Sequence, residues 1–222
     1  MQYWKKLTPQ QRQDRIDEAL VQNVNFAIDT SLGFPASRLD SKVFYEEAPF
    51  LRDAPTIRAY VANPNNIGCH TFGTSENAFY GTQEIEREVL NVLAVDVFKC
   101  QPNEYDGYIS PGGTEANIQA IWVFRNYFFH KFEAKVHEIA ILASEDTHYS
   151  IPKASNLLQI DWISIPVDFN SRAIQKDKLE SLIVEAKNKG VKYFIAVSNM
   201  GTTMFGSVDN PNDYIEVLEK HN

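Results

Sequence analysis

The chain has 222 residues, of which 44% are hydrophobic and 23% are charged, and its formal net charge is −8 at pH 7. This composition is typical of a soluble globular protein with a sizeable core. The acidic balance argues against a nucleic-acid footprint and against a basic membrane-binding patch, and no apolar run approaches the roughly 20 residues of a bilayer-spanning helix.

Signals for export and for metal binding are missing from the sequence. The first residues, Met1 to Lys6, lack the apolar core of a signal peptide, so we expect a cytoplasmic protein with no membrane partner. The two cysteines, Cys69 and Cys100, have neither the spacing of a disulfide framework nor that of a zinc site. We therefore predict no metal.

The N-terminal part of the chain, residues 1–80, is predicted to form one helix and an extended arm. Thr8, Pro9 and Gln11 make a helix start with an N-cap, a proline at the first helical position and a capping box, and the helix should run to about Ile28. From there to about residue 79 the sequence shows no sustained period, which indicates an arm that packs on another surface. Within it, the polar segment 63–71 either lines a substrate mouth or shapes the arm.

Periodicity returns in residues 81–222 and predicts an α/β fold. Thr82 should cap a helix whose apolar positions extend as far as Val97, and a second helix should start at Gly113 and end near His130. Predicted strands then alternate with predicted helices. The strands are 139–143, 161–165 and 192–197, and the helices lie near 151–158, 176–188 and 211–221. This alternation indicates a mostly parallel sheet covered by helices.

The segment Ser110-Pro-Gly-Gly-Thr-Glu-Ala-Asn117 joins a glycine-containing turn to an apolar helix, and such a junction can bind an anion. Gly112 and Gly113 let the backbone approach closely, and Thr114 adds a hydroxyl donor. The segment lacks the lysine of a nucleotide-hydrolase phosphate loop and the third glycine of a dinucleotide fingerprint. Taken alone, it is equally well explained as a tight turn with a helix cap.

Two later polar segments each follow a predicted buried strand. Ser144 to Ser150 places His148 just past the first strand, and Ser198 to Gly206 follows the third. Ligands collect at the carboxyl ends of parallel strands, so these loops and the glycine turn can converge on one crevice. Ordinary roles remain open for single residues, because His148 can be a structural histidine, Asn199 a turn former and Thr203 a loop residue that satisfies a nearby N–H.

Three ordered motifs, Pro-Gly-Gly-Thr-Glu-Ala-Asn, Asp-Thr-His-Tyr-Ser and Asn-x-Gly-Thr-Thr-x-x-Gly, resemble the group II pyridoxal 5′-phosphate (PLP)-dependent amino-acid decarboxylases, and the histidine-decarboxylase-like branch in particular. The resemblance implies the type I fold of aspartate aminotransferase, with residues 81–222 as the N-terminal part of the large PLP-binding domain. It also implies a homodimer in which the N-terminal arm wraps the partner subunit.

The resemblance further implies a set of cofactor-binding residues: Gly112, Gly113, Thr114, His148, Asn199 and Thr203. Gly113 and Thr114 would bind the phosphate, His148 would stack on the pyridine ring and act as the catalytic residue, and Thr203 would lie near the substrate and the phenolic side of the cofactor. The expected activity is decarboxylation of an L-amino acid to an amine and carbon dioxide.

Two segments of the family pattern do not occur in this sequence. One is the His-x-Asp-Ala-Ala strand, whose Asp pairs with the pyridine nitrogen, and the other carries the lysine that binds the cofactor covalently. We therefore expect a fragment of a longer polypeptide that is inactive alone, with a natural half-length protein as the alternative. Two other functions stay open: a lyase of the sphingosine-phosphate type, which would be expected to carry a membrane anchor, and a non-catalytic half. The sequence does not identify the amino acid.

Overall fold

The structure is a computed structural model that describes residues 6–23 and 79–221. The chain falls into two units, Met1–Ile109 and Ser110–Asn222. The predicted arm and its polar segment 63–71 lie outside the described residues. The proposed division into residues 1–80 and 81–222 stays a prediction. No helix in the described part of the chain is long and apolar enough to cross a membrane.

Helix α1, Pro9–Gln22, begins as the sequence predicts. The Thr8 hydroxyl accepts a hydrogen bond from the backbone N–H of Gln11, and the Gln11 side chain accepts one from the N–H of Thr8. This reciprocal pair confirms the capping box. The helix is shorter than predicted, because Asn23 has extended backbone angles (φ −78°, ψ 155°) and ends it.

Helix α2, Tyr80–Asn91, continues into a π-helical segment, Val92–Val97. The prediction that Thr82 caps this helix was wrong. The helix starts at Tyr80, so Thr82 lies within its first turn, and the Thr82 hydroxyl donates to the carbonyl of Phe79. The cap comes from Asn23, whose Oδ1 accepts hydrogen bonds from the N–H groups of Gly81 (2.8 Å) and Thr82 (3.3 Å).

Gly81 marks the closest approach of α1 and α2. A Cβ atom at this position would lie 1.8 Å from the carbonyl oxygen of Ala19, which is fully buried in α1. No side chain fits in that space. Glycine has none, and it therefore allows the two helix backbones to touch.

The second unit alternates helices and strands nearly where the sequence predicts them. Its elements are α3 Gly113–Phe132, β1 Ile139–Ser144, α4 Ser150–Leu158, β2 Asp161–Ile165, α5 Lys176–Asn188, β3 Tyr193–Val197 and α6 Pro211–Lys220. The strands form a parallel sheet in the order β2-β1-β3. Two consecutive βαβ crossovers therefore build this part of the fold.

Both faces of the sheet are covered by helices. The central strand β1 is buried along its whole length, and its side chains alternate between the two faces. Ile141 packs with residues of α3 and α4 such as Ile121 and Ile151. Leu142 packs on the opposite face with residues of α5 and α6, including Leu179 and Tyr214. This arrangement confirms the predicted α/β class.

Candidate functional site

Helix α3 begins in an open cleft. Gly112 precedes the helix in an extended conformation, no side chain caps this end, and the Ala116 N–H donates to the Gly112 carbonyl at 3.2 Å. A Cβ on Gly112 or Gly113 would meet no atom within 4 Å. The cleft has a volume of about 580 Å³ and is lined by this turn and by the α4 residues Lys153 and Leu157.

This geometry suits an anion. The leading N–H groups of a helix have no partner within the helix, and the helix dipole adds positive potential at that end. Helix α3 contributes twenty residues to this dipole, and the cleft is lined by one cationic side chain, Lys153, and one carboxylate, Glu115. The turn therefore offers backbone donors, an open approach and the positive potential of the helix dipole to a phosphate-sized group.

Tyr149 connects the glycine turn to the loop after β1. Its hydroxyl lies 3.2 Å from the hydroxyl of Thr114, and Lys153 lies over its ring at 5.3 Å from the centroid. Tyr149 is the residue after His148, and the two rings are 4.1 Å apart between centroids. The structure thus brings Thr114 and His148 into one region of the second unit.

The His148 ring is held through Nδ1. That nitrogen accepts the backbone N–H of Ser150 (3.2 Å) and lies 2.9 Å from the Ser150 hydroxyl, which itself accepts a hydrogen bond from the Asn117 amide. Since Nδ1 is the acceptor, the hydrogen of the neutral ring belongs on Nε2. His148 is half-buried, so its ring remains accessible. The contacts of Ser150 with Nδ1 set its tautomer and orientation.

Asn199 joins the carboxyl ends of β1 and β3. Its side-chain carbonyl accepts a hydrogen bond from the Thr147 hydroxyl (2.9 Å), and its amide nitrogen donates to the Ser144 hydroxyl (3.0 Å) and to the buried Asp209 carboxylate (2.9 Å). These bonds use the amide as a brace between two loops. Asn199 is connected to His148 through Thr147, the residue that precedes His148.

Thr203 lies on an exposed turn of the loop after β3. The loop is braced from within, because the buried Thr202 bonds to Ser207 through both its backbone N–H and its hydroxyl. Gly201 and Gly206 have positive φ angles of 89° and 65°, which glycine adopts at low cost. Thr203 lies in this loop between the two glycines and makes no hydrogen bond to Thr114, His148 or Asn199.

Sequence reasoning did not single out the residues that support the site. Ser150 and Asn117 fix the His148 ring, and Tyr149 contacts Thr114. All three belong to the motifs around Gly113 and His148, and adjacency within those motifs was the available signal. In the part of the chain that the structure describes, no group of three or more His, Cys, Asp or Glu side chains could hold a metal ion.

Two pairs of ionisable side chains lie near the carboxyl ends of the strands. Asp146 and Arg172 form a two-pronged ion pair, and its hydrogen bonds raise the pKa of the Arg172 guanidinium. Tyr214 is buried, and its hydroxyl lies 3.5 Å from the Asp209 carboxylate that Asn199 also bonds. Burial, followed by the negative charge of Asp209, raises the pKa of the Tyr214 phenol above its usual range.

Comparison with known sequences identifies one family. Residues 3–222 match a family described as "Pyridoxal-dependent decarboxylase conserved domain". The chain is 50% identical over its whole length to tryptophan decarboxylase from Clostridium sporogenes, of which it covers 53%. It is 29% identical to histidine decarboxylase from Solanum lycopersicum, over 75% of this chain and 36% of that protein. The chain thus spans about half the length of the first relative and about a third of the second.

Solved structures share the fold. L-methionine decarboxylase from Streptomyces sp.590 superposes with a TM-score of 0.61 at 22% identity, over 97% of this chain and 49% of that one. Mouse CSAD gives a TM-score of 0.51 at 26% identity, over 62% of this chain and 30% of that one.

Proposed function

Because this chain belongs to the pyridoxal-dependent decarboxylase family, we propose that its full-length protein is a PLP-dependent enzyme that converts an L-amino acid to an amine and carbon dioxide. The family predicted from the three motifs and the fold are both confirmed by the comparisons. The activity stays a proposal, since the chain spans 53% of the Clostridium relative. The observation that carries it is the open, uncapped start of α3 beside the fixed His148 ring.

The glycine turn fits the phosphate of PLP. We assign phosphate binding to Gly112, Gly113 and Thr114, because the N–H groups at the start of α3 point toward a cleft with room for a dianion. The hydroxyl of Tyr149 supports this assignment, since it sits 3.2 Å from that of Thr114 and holds the hydroxyl beside the turn. Lys153 balances negative charge in the same cleft.

When bound, PLP acts as the electron sink that accepts the electron pair released with carbon dioxide. In this proposal His148 stacks on the cofactor ring and orients the substrate carboxylate. Its Nε2–H is the atom available to donate, because Nδ1 is engaged by Ser150. Nε2 would hold or move a proton beside the substrate, an acid–base role that histidine commonly has in enzymes.

Thr203 is assigned to the substrate side of the cofactor, and Asn199 to the cofactor site. Thr203 is exposed on the braced loop after β3, where its hydroxyl can reach a ligand that enters from solvent. Asn199 is assigned to the cofactor site through Thr147, which it bonds at 2.9 Å and which precedes His148. The proposed division of labour is that Thr203 contacts a ligand and Asn199 fixes the loop that presents His148.

For the substrate, we propose an aromatic L-amino acid, with L-tryptophan as the first to test. The support is the 50% identity to tryptophan decarboxylase over the whole chain, against 29% to histidine decarboxylase over 75% of it. The histidine-decarboxylase-like assignment from the motifs is therefore the second candidate. Both amino acids present a flat ring on one side-chain carbon, so the choice between them depends on the residues that would contact that ring.

We also propose a cytoplasmic homodimer in which the N-terminal arm packs against the partner subunit. The support is the long aperiodic segment of the sequence that precedes residue 79, which suggests chain that packs on another surface. Light scattering on the full-length protein tests the stoichiometry. A monomer that binds PLP and turns over would contradict the proposed assembly.

The activity is tested by a substrate panel with the PLP-loaded full-length protein. Carbon dioxide and amine are measured together for L-tryptophan, L-tyrosine, L-phenylalanine, L-histidine and L-glutamate. We expect equal amounts of both products, with the highest kcat/KM for an aromatic amino acid. A phosphorylated long-chain β-hydroxy amine is assayed beside the panel, because cleavage to an aldehyde requires a β-hydroxyl that the five amino acids lack. Aldehyde from that amine without carbon dioxide would support the lyase alternative. Bound PLP with no product from any amino acid would support a non-catalytic protein.

A further inference from the structure

Arg172 connects the loop after β2 to the two loops that carry the proposed site. Its Nε donates to Asp146 Oδ2 at 2.8 Å, and its Nη2 pairs with Asp146 Oδ1. Its guanidinium carbon also lies over the ring of Phe205, 4.2 Å from the centroid. Asp146 is two residues before His148, and Phe205 is two residues after Thr203. One side chain therefore contacts both loops.

The loop after β2 is shaped to present this side chain. Arg172 has a left-handed backbone (φ 57°), a conformation that is unfavourable for a residue with a Cβ. Asp168 stabilises it, because its carboxylate accepts hydrogen bonds from the N–H groups of Asn170 and Ser171 and from the Ser171 hydroxyl. The same bonds to Ser171 lower the pKa of Asp168. A local turn thus holds Arg172 in an otherwise costly conformation.

The contact with Asp146 is fixed by burial. The Asp146 side chain is 8% exposed and that of Arg172 is 19% exposed, so neither charge is fully solvated. A buried carboxylate needs a paired cation, and a planar guanidinium that meets both oxygens sets distance and angle together. Lysine could supply the charge at this position but not the two-pronged geometry.

The contact with Phe205 acts on a loop that has its own internal hydrogen bonds. Met200 and Val208 form a β-bridge, and Gly206 donates its N–H to the Thr202 carbonyl at 2.8 Å. The Arg172 contact adds a support from outside the loop to these internal bonds. Phe205 is 58% exposed at its tip, and a guanidinium against one face of its ring is a stabilising cation–π contact.

We propose that Arg172 is a positioning residue that holds the loop of Thr203 against the loop of His148, so that both face one bound ligand in the correct relative position. This inference rests on the proposed function for its effect on turnover, but the loop contact itself does not depend on that function. No atom of Arg172 needs to touch the substrate. Its influence passes through Phe205 on one side and Asp146 on the other.

The test compares R172M, R172K, F205L and the double variant R172M/F205L in the PLP-loaded full-length protein. For each, kcat, KM, PLP affinity and hydrogen exchange of the 200–207 segment are measured. We expect R172M to lower kcat/KM about 10- to 100-fold, the loss that a misplacement near 1 Å produces, while PLP affinity is retained. Exchange of the 200–207 segment should accelerate, since Gly201, Thr202 and Gly206 have amides bonded inside that loop.

The single and double variants separate positioning from general stability. F205L keeps the buried ion pair, so it remains informative if R172M folds poorly. Because both substitutions break one contact, the double variant should lose no more kcat/KM than R172M alone. R172K keeps the charge but not the two-pronged geometry, so its kcat/KM should lie between those of R172M and the wild type. The matched control is K192M, which removes a pair with Glu138 at the opposite edge of the sheet and should leave kcat and loop exchange unchanged.

Unchanged loop exchange in both R172M and F205L would overturn the proposal, whether or not the protein is a decarboxylase. Additive losses of kcat/KM in the double variant would overturn it as well. If wild-type protein binds PLP without turnover, the proposed function fails, and loop exchange alone then decides the role of Arg172.

Discussion

Asn199 and Asp209 are joined by three hydrogen bonds across the loop that follows β3. The N–H and the side-chain amide of Asn199 both donate to Asp209 Oδ2, at 2.8 and 2.9 Å, and the N–H of Asp209 donates to the Asn199 carbonyl at 2.9 Å. The loop is thereby closed at its base. Asn199 also bonds Thr147 and Ser144, so the same closure connects β3 to the loop that presents His148.

Removal of the Asp209 carboxylate should destabilise this connection. Asp209→Ala removes the acceptor of two part-buried hydrogen bonds of Asn199, and we expect a loss of about 1–3 kcal/mol in the free energy of unfolding, since one such bond contributes about 0.5–1.5 kcal/mol. Asp209→Asn retains one carbonyl oxygen and should lose less. Urea unfolding of both variants measures the difference. Equal stability of D209A and wild type would show that the three bonds contribute nothing.

The anion site at the start of α3 makes a prediction about charge. Thr114→Glu should abolish PLP retention, because a carboxylate would occupy the turn and repel the phosphate dianion. Ala120→Glu, an exposed position further along α3, adds the same charge away from the turn and should retain PLP. Absorbance of bound PLP after desalting measures both. Full PLP occupancy in T114E would contradict the assignment of Thr114 and Gly113 to the phosphate site.

The close contact of α1 and α2 predicts an unusually costly glycine substitution. In Gly81→Ala the new methyl would overlap the backbone of Ala19, so the helices must move apart, and overpacking of this kind costs about 1–3 kcal/mol. Gly107→Ala is the control, since its Cβ would make an ordinary contact of 3.5 Å with Leu90. Thermal unfolding should show a lower Tm for G81A alone.

Tyr214 predicts a loss of stability at alkaline pH. Burial raises the folded-state pKa of its phenol, whereas the unfolded chain releases that proton near pH 10, so stability is complete below about pH 10 and falls as pH rises above it. Tyr214→Phe should remove this component of the pH dependence. Urea midpoints between pH 8 and 11 measure it. Parallel declines in the two proteins would contradict the assignment to Tyr214.

Sequence patterns predicted those features that depend on near neighbours in the chain. The capping box of Thr8 and Gln11 joins residues three apart, and the alternation of apolar runs located three strands within one residue at each end. The α2 cap could not be found this way, because its acceptor, Asn23, is 58 residues from Gly81. A local candidate, Thr82, had the right residue type and was wrong.

The same limit applies to the site. The motifs pointed to the loops, but the partners of His148 and Asn199 follow from the sheet order, which no local pattern specifies. Asn117 meets Ser150 only because α3 packs beside α4, and Arg172 reaches Asp146 only because β1 and β2 are neighbours. The roles of Gly112, Gly113, Thr114, His148, Asn199 and Thr203 toward PLP remain predictions.

The most direct measurement of the central claim is carbon dioxide release per bound PLP in His148→Phe. The phenyl ring keeps an aromatic surface for the cofactor but lacks Nε2, so we predict retained PLP, a similar Tm and a kcat lower by roughly 10²–10⁴-fold, the contribution typical of an acid–base or orienting group. PLP absorbance, Tm and product release are taken on one preparation. Full turnover by H148F would contradict the account, as would loss of PLP and stability in proportion to the loss of rate.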